Sequence, residues 1–271
     1  TAYRRQRQMC IRDRYHLKDI PMKEINNTII QDYIHFLKSK KNLQENTVIR
    51  YMKVVKKITN MALANDWIDK NPFMNIHFHE QEVHKEFLTK EELEILRTKV
   101  VNVPRLELVR DIFLFQCWTG LAFIDVSELK PEHLVTDNQG NVWIRKSRQK
   151  TKVMCNIPLL DIPLAILDKY KGYPLCENKG TLLPVPCNQK ANSYLKEIAD
   201  FCGIKKNLTT HAGRHTFSTV VTLANNVSLE NVSKMLGHTN TKMTQRYAKV
   251  LDQSILRDMQ NVRENFSPKT T

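Results

Sequence analysis

Glycine and proline are scarce in this sequence, with 7 and 10 of 271 residues. That excludes a collagen-like chain and argues against low-complexity disorder. Long apolar runs are also missing. No uncharged stretch approaches the roughly 20 residues a membrane span needs, so no membrane partner is expected. No charged-then-apolar leader with a small-residue cleavage site is visible, and nothing marks the chain as secreted. Paired cysteines are absent. Cys10, Cys117, Cys155, Cys176, Cys187 and Cys202 lie far apart with no C-x-x-C spacing. This argues against a zinc ribbon or disulfide framework and for reduced thiols in the cytoplasm. No internal repeat is seen. Acidic residues are in deficit: 28 against 42 Lys and Arg, a net charge of +14. A surplus of that size points to a polyanionic partner, most often nucleic acid.

What is present is a packed chain. Hydrophobic residues make up 41%, and the length suits one large or two modest domains. Residues 1–14 hold Arg4, Arg5, Arg7, Arg12 and Arg14. They read either as a basic arm on phosphates or as a scar without structural role. From Asn26 to about Lys40, Ile29, Ile30, Tyr33, Phe36 and Leu37 share one helix face. A second helix runs from Asn46, capped by Asn46 or Thr47, to about Asn65. On its other faces, Arg50, Lys53, Lys56 and Lys57 are candidate DNA contacts, against the bland reading of a solvated face. Asn71-Pro72 closes this unit. Residues 76–85 read as a linker. His77, His79 and His84 in this region lack the company a metal site requires.

The unit from residue 86 starts with a capping box at Thr89-Lys90-Glu91-Glu92. A helix over about Leu106–Cys117 should stop at Thr119-Gly120. A turn at Asp137-Asn138-Gln139-Gly140 leads into Val142–Ile144 and then Val153–Ile157, the pattern of a small antiparallel sheet. Helices follow near residues 164–171, 188–203, 212–225, 229–236 and 241–250.

The chemistry sits between Thr210 and Val250. H-A-G-R-H (His211 to His215) is followed by L-G-H (Leu236 to His238) and T-Q-R-Y-A-K (Thr244 to Lys249). His211 and Arg214 are three apart and share a helix face. A guanidinium, imidazoles and a phenol together suit phosphoryl transfer at a diester. The guanidinium forks onto non-bridging oxygens, the imidazoles hydrogen-bond or carry protons, and the phenol serves as nucleophile. Zinc at His211, His215 and His238 is the rival. It is disfavoured because Ala212 stands where a metalloprotease needs Glu, and Arg214 would repel the ion.

These motifs resemble the tyrosine recombinase (phage-type integrase) family. The resemblance extends upstream. T-G-L-A-F-I-D-V-S-E-L (Thr119 to Leu129) is similar to the family's first-arginine motif, the sheet with Lys150 to its catalytic-lysine hairpin, and the helix pair ending at Asn71-Pro72-Phe73 to its core-binding domain. It covers nearly the whole chain from about residue 15. The resemblance implies a mainly α fold with a small antiparallel β-sheet in two domains: a helical core-binding domain at 15–75 and an α+β catalytic domain at 86–271. It implies a site-specific DNA recombinase or integrase acting through a 3′-phosphotyrosyl link at Tyr247. Arg214 would hold the phosphate, and His211 and His238 would bind it and handle the nucleophile's proton. Lys150 would protonate the leaving 5′-oxygen, and Asp125 would buttress the site. No metal or other cofactor is implied. The partners implied are double-stranded DNA, a homotetramer in the synaptic complex, a monomer off DNA and accessory DNA-bending proteins, in a bacterial cytoplasmic, nucleoid-associated setting on a mobile genetic element. The tail around Ile255, Leu256 and Met259 would dock on a neighbouring subunit, and the family's extra arm-binding domain is expected to lie outside this sequence. One position departs from the family: Ala122 stands where its first arginine belongs. Losing a preorganised charge at a developing oxyanion costs about 3 kcal/mol. Arg148 is the candidate replacement, two residues before Lys150 and on its side if that segment is extended; Arg110 and Arg145 are reserves. The alternatives are a non-catalytic DNA-binding relative and a DNA-relaxing topoisomerase with the same chemistry.

Overall fold

In the computed structural model, residues 19–83, 85–248 and 259 are described. The arginine-rich stretch at 1–14 lies outside them, as do His84 and the tail apart from Met259. The chain divides into two compact units, Thr1–His84 and Lys85–Thr271.

The first unit is built on α1 (Asn27–Ser39) and α2 (Glu45–Ala64). Asn26 caps α1 by accepting from the Ile29 amide at 3.1 Å. The cap expected at Asn46 or Thr47 is not formed; Gln44 takes the N-cap position without a side-chain bond. Asn46 is engaged elsewhere. Its amide donates to the Gln81 carbonyl at 2.8 Å, and its carbonyl oxygen accepts from the Gln81 amide at 2.9 Å. Ile30, Phe36 and Leu37 of α1 pack on Val48 and Met52 of α2, with Phe73 closing the cluster. Apolar burial of this kind holds a two-helix unit that propensity alone would not.

The second unit starts with α3 (Lys90–Thr98), capped by the expected Thr89–Glu92 box. Next comes α4 (Pro104–Thr119), the central core helix, almost entirely buried along Val109–Cys117. A short α5 (Phe123–Ser127) leads to strands β1 (Leu134–Thr136), β2 (Val142–Ser147) and β3 (Met154–Pro158). They form one antiparallel sheet in sequence order, with Ile144 opposite Ile157 and Lys146 opposite Cys155. The remaining helices are α6 (Asp161–Lys169), α7 (Pro174–Lys179), α8 (Asn188–Cys202), α9 (Thr210–Thr216), α10 (Leu229–Met235) and α11 (Lys242–Ala248). α7 was not foreseen from the sequence; it is a short six-residue helix with Pro174 at its start.

The single helix expected over 212–225 is instead broken. α9 widens into a π-helical stretch at Phe217–Thr222, then a 3-10 turn at Leu223–Asn225. Hydroxyls explain it. Thr216 donates to the Ala212 carbonyl, Ser218 to the Arg214 carbonyl, and Thr222 to the Phe217 and Ser218 carbonyls. Such back-bonding competes with the helix ladder and bends it, and π-turns of this sort recur at functional sites.

Gly120 ends α4 at φ +67°. A Cβ there would lie 2.3 Å from Phe217 Cδ1 and 2.9 Å from Leu236 Cδ2. We therefore expect Gly120→Ala to destabilise by about 1–3 kcal/mol from overpacking alone, with left-handed strain added. Urea denaturation checks this. A lowered midpoint at constant slope is expected, and an unchanged midpoint would contradict the packing.

Candidate active site

Arg214 on α9 is 2% exposed. Its Nη1 donates to the Gly120 carbonyl and its Nη2 to the Leu236 carbonyl, both at 2.6 Å. One buried guanidinium thus ties the end of α4 to the end of α10. Nη2 also lies 3.1 Å from His238 Nε2. Arginine has only donors, so Nε2 is the acceptor and Nδ1 carries the imidazole proton. That proton meets Thr244 Oγ1 at 2.8 Å. Thr244 sits about one helical turn before Tyr247 on α11, so the same contact ties the His238 ring to the helix that carries Tyr247.

Tyr247 is 9% exposed. Its ring stacks parallel to His238, with centroids 6.4 Å apart, and tilts against His215 at 5.0 Å. His215 in turn meets His211 edge-on at 4.6 Å. The four residues His211, Arg214, His238 and Tyr247, named from motif alone, stand together in space.

The β2–β3 turn is pinned against them from two sides. Asp125 Oδ1 accepts the Gln149 amide at 2.9 Å. Thr151 Oγ1 donates to the Gly237 carbonyl at 3.0 Å. Gly237 has φ +60°, and a Cβ there would lie 2.7 Å from Cys155 Sγ and 3.5 Å from Arg148 Cβ. Asp125 therefore holds the turn by a hydrogen bond and reaches Arg214 only through its charge. The strand stops at Ser147, and the Arg148 carbonyl accepts from the Lys152 amide to close a tight turn. Alternation breaks there, so the expectation that Arg148 and Lys150 share a face fails. Arg148 turns inward, with its side chain 11% exposed and Nε 4.0 Å from Asp125 Oδ2. That spacing is Coulombic, too long for a hydrogen bond, and both atoms lack a hydrogen-bond partner. Lys150 is exposed at the turn, whereas Lys146 points inward to the Glu128 carbonyl.

Ala122 is the N-cap of α5 and contributes no side-chain bond. The reserves do not fill its place. Arg110 is held by Asp111 and the Lys99 carbonyl, and Arg145 lies on the exposed face of β2.

The field is strongly positive. Burial lowers the Arg214 pKa to about 10, and the neighbouring Arg148 charge adds to the shift. Burial, then the Arg214 and Arg148 charges, pushes His238 down to about 4. His211 is lowered by burial, then by Lys85, Arg214, Arg148 and Lys150. All of these imidazoles are neutral at pH 7. Sequence reasoning missed three contributors. Lys85 was assigned to the linker, Thr244 carries no chemistry of its own, and His215 was weighed only as a zinc ligand. The Thr244 role follows from its place three residues before Tyr247, but only once His238 is known to lie opposite.

In the first unit, Arg50 and Lys57 are exposed. Lys53 forms an ion pair with Glu80, and Lys56 lies over the Phe73 ring at 5.9 Å.

Comparison with known proteins decides the family. The phage integrase family model matches residues 86–254, and the phage integrase SAM-like domain matches residues 3–80. The chain belongs to the phage integrase family. A tyrosine recombinase of Pseudothermotoga lettingae is 24% identical, over 87% of this chain and 82% of its own length. The tyrosine recombinase XerC of Leptospira interrogans serovar copenhageni is 23% identical, over 86% and 76%. Among solved structures, a lambda integrase dimer bound to a core site superposes with TM-score 0.68 at 18% identity, covering 89% of this chain and 86% of that one. The Tn1549 transposon integrase in complex with circular intermediate DNA gives TM-score 0.68 at 17% identity, over 91% and 88%. This integrase-family chain thus has the family's two-domain, mainly helical fold with one small sheet.

Depressed histidine pKa values set a pH dependence. An unfolded histidine takes up a proton near pH 6.5, whereas folded His238 resists protonation until about pH 4. Unfolding then binds protons, so stability is full above pH 6.5 and falls as pH drops toward 4. Denaturant midpoints measured across that range should decline, and His238→Gln should flatten the slope. A slope unchanged by that substitution would contradict the assignment.

Proposed function

We propose that this site cuts and rejoins DNA as a site-specific tyrosine recombinase, with Tyr247 as nucleophile and Arg148 in place of the arginine missing at Ala122. One observation carries the proposal. The hydrogen bonds of buried Arg214 go to two neutral carbonyls and a neutral imidazole, and a second guanidinium lies in its field. Asp125 offsets part of that charge. Two like charges held close in a low-dielectric pocket repel unless an anion joins them. A phosphodiester supplies that anion, and a guanidinium fork matches its non-bridging oxygens.

The chemistry balances without an external energy source. The Tyr247 oxygen attacks phosphorus, its proton passes to the imidazole side at His211, and the P–O5′ bond breaks. Lys150 protonates the leaving 5′-oxygen, and the 3′-phosphotyrosyl ester keeps the bond energy for religation. His238, tied to Arg214 and Thr244, orients both and stacks on the phenol. Arg50, Lys53, Lys56 and Lys57 grip the duplex backbone. Binding should weaken steeply with salt as counterions are released.

Strand exchange calls for two duplexes and four protomers, so the reading extends to a homotetramer on DNA, with accessory bending proteins and a nucleoid-associated place in the cytoplasm. The curated relatives carry the name tyrosine recombinase, which disfavours a non-cutting relative or a supercoil-relaxing enzyme.

A nicked suicide duplex tests the reading. The expected product is a covalent protein–DNA band that Tyr247→Phe abolishes. Arg148→Ala should lower covalent yield by about two to three orders of magnitude, the usual loss for a preorganised charge at the reacting phosphate, and leave duplex affinity nearly intact. Equal losses in both would remove Arg148 from the reaction.

A further inference from the structure

His215 is the imidazole that the mechanism above leaves unused. It is 8% exposed and lies in ring contact with both His211 and Tyr247. Its Nε2 is buried and lacks a hydrogen-bond partner. Buried polar atoms are seldom left that way, and each one calls for a reason. The backbone beneath it is fixed. Thr216 Oγ1 accepts from the Leu88 amide at 3.0 Å and donates to the Ala212 carbonyl at 2.9 Å.

The three imidazoles around the phenol are not equivalent. His238 has both nitrogens engaged, one accepting from Arg214 and one donating to Thr244. It has no lone pair for Tyr247 unless it releases Arg214. Among the described residues, His211 makes no ring contact with Tyr247, whereas His215 lies between them. His215 is also held neutral: burial pushes its pKa down to about 3, and His211, Lys85 and Arg214 act in the same direction. A neutral imidazole keeps one nitrogen lone pair as an acceptor. The phenol is a donor, and its hydroxyl makes no hydrogen bond among the described residues. A ring nitrogen without a partner and a phenol without one among the described residues thus sit on adjoining rings 5.0 Å apart.

We propose that His215 is a catalytic residue whose Nε2 accepts the hydrogen bond of the Tyr247 hydroxyl and aims the phenol oxygen at the scissile phosphate. The proposal rests on Tyr247 being the nucleophile. His215 orients that oxygen while its proton is still attached; no bond to hydrogen is broken in this step.

The test is single-turnover cleavage of a nicked suicide duplex by the full chain. His215→Phe keeps a ring and removes the lone pair, whereas His215→Gln restores an acceptor at similar reach. His215→Phe should slow covalent-complex formation about tenfold, the loss expected for one aiming hydrogen bond. Its melting temperature and duplex affinity should match the parent, and His215→Gln should recover most of the rate. A substrate with sulfur at the 5′-bridging position separates the two ends of the reaction. A thiolate leaves without a proton, so this substrate should rescue Lys150→Ala but not His215→Phe. Parental rates for His215→Phe, equal slowing by Phe and Gln together with a lowered melting temperature, or rescue of His215→Phe by the sulfur substrate would each overturn the proposal. If the parent chain yields no complex that Tyr247→Phe abolishes, the nucleophile assignment fails instead.

Discussion

The structure of the candidate site depends on one buried guanidinium. Arg214 joins the carbonyl at the end of α4 to the carbonyl at the end of α10 and holds the His238 ring at the same point. His238 then passes its orientation to Thr244 and hence to the helix of Tyr247. Carbonyls can hold a guanidinium in place but cannot neutralise it. The hydrogen bonds that build the site leave its charge only partly offset, by Asp125, and in the proposed function that residual charge is what a phosphodiester meets.

The same logic bears on the arginine that the family resemblance leads one to expect at Ala122, where the side chain makes no bond. The tight turn after β2 brings Arg148 into the field of Arg214 and both neighbouring imidazoles. Asp125 holds that turn through the Gln149 amide and faces Arg148 across 4.0 Å. The first-arginine motif and the lysine hairpin are therefore one structural unit. The aspartate of the former positions the loop of the latter, and with it the Arg148 guanidinium.

Much of this was legible in the sequence because it is local. The capping box at Thr89, the stop at Gly120 and the strands around Ile144 and Ile157 follow from short-range rules that tertiary contacts leave intact. The motif residues His211, Arg214, His238 and Tyr247 were likewise readable, and the structure brings them together. What could not be read was set by distant partners. Asn46 was expected to cap α2 but pairs with Gln81, 35 positions away. The hairpin alternation failed because Arg148 hydrogen-bonds across a turn whose length one strand does not reveal. The π-stretch after α9 came from hydroxyls that also sit comfortably in ordinary helices. Lys85 acts on His211 through space, and the ring contacts of His215 with His211 and Tyr247 do not follow from its place beside Arg214 in the motif.

The central claim is that Arg148 and Arg214 share the charge of one phosphodiester. It is tested most directly by removing that charge from the DNA rather than from the protein. A suicide duplex with a methylphosphonate at the scissile position has one non-bridging oxygen replaced by a methyl group and is neutral there. Single-turnover cleavage of phosphate and methylphosphonate duplexes by the parent and by Arg148→Ala gives four rates. The account predicts that the large loss caused by Arg148→Ala on phosphate shrinks to a few-fold on methylphosphonate. An equal loss on both substrates would contradict it.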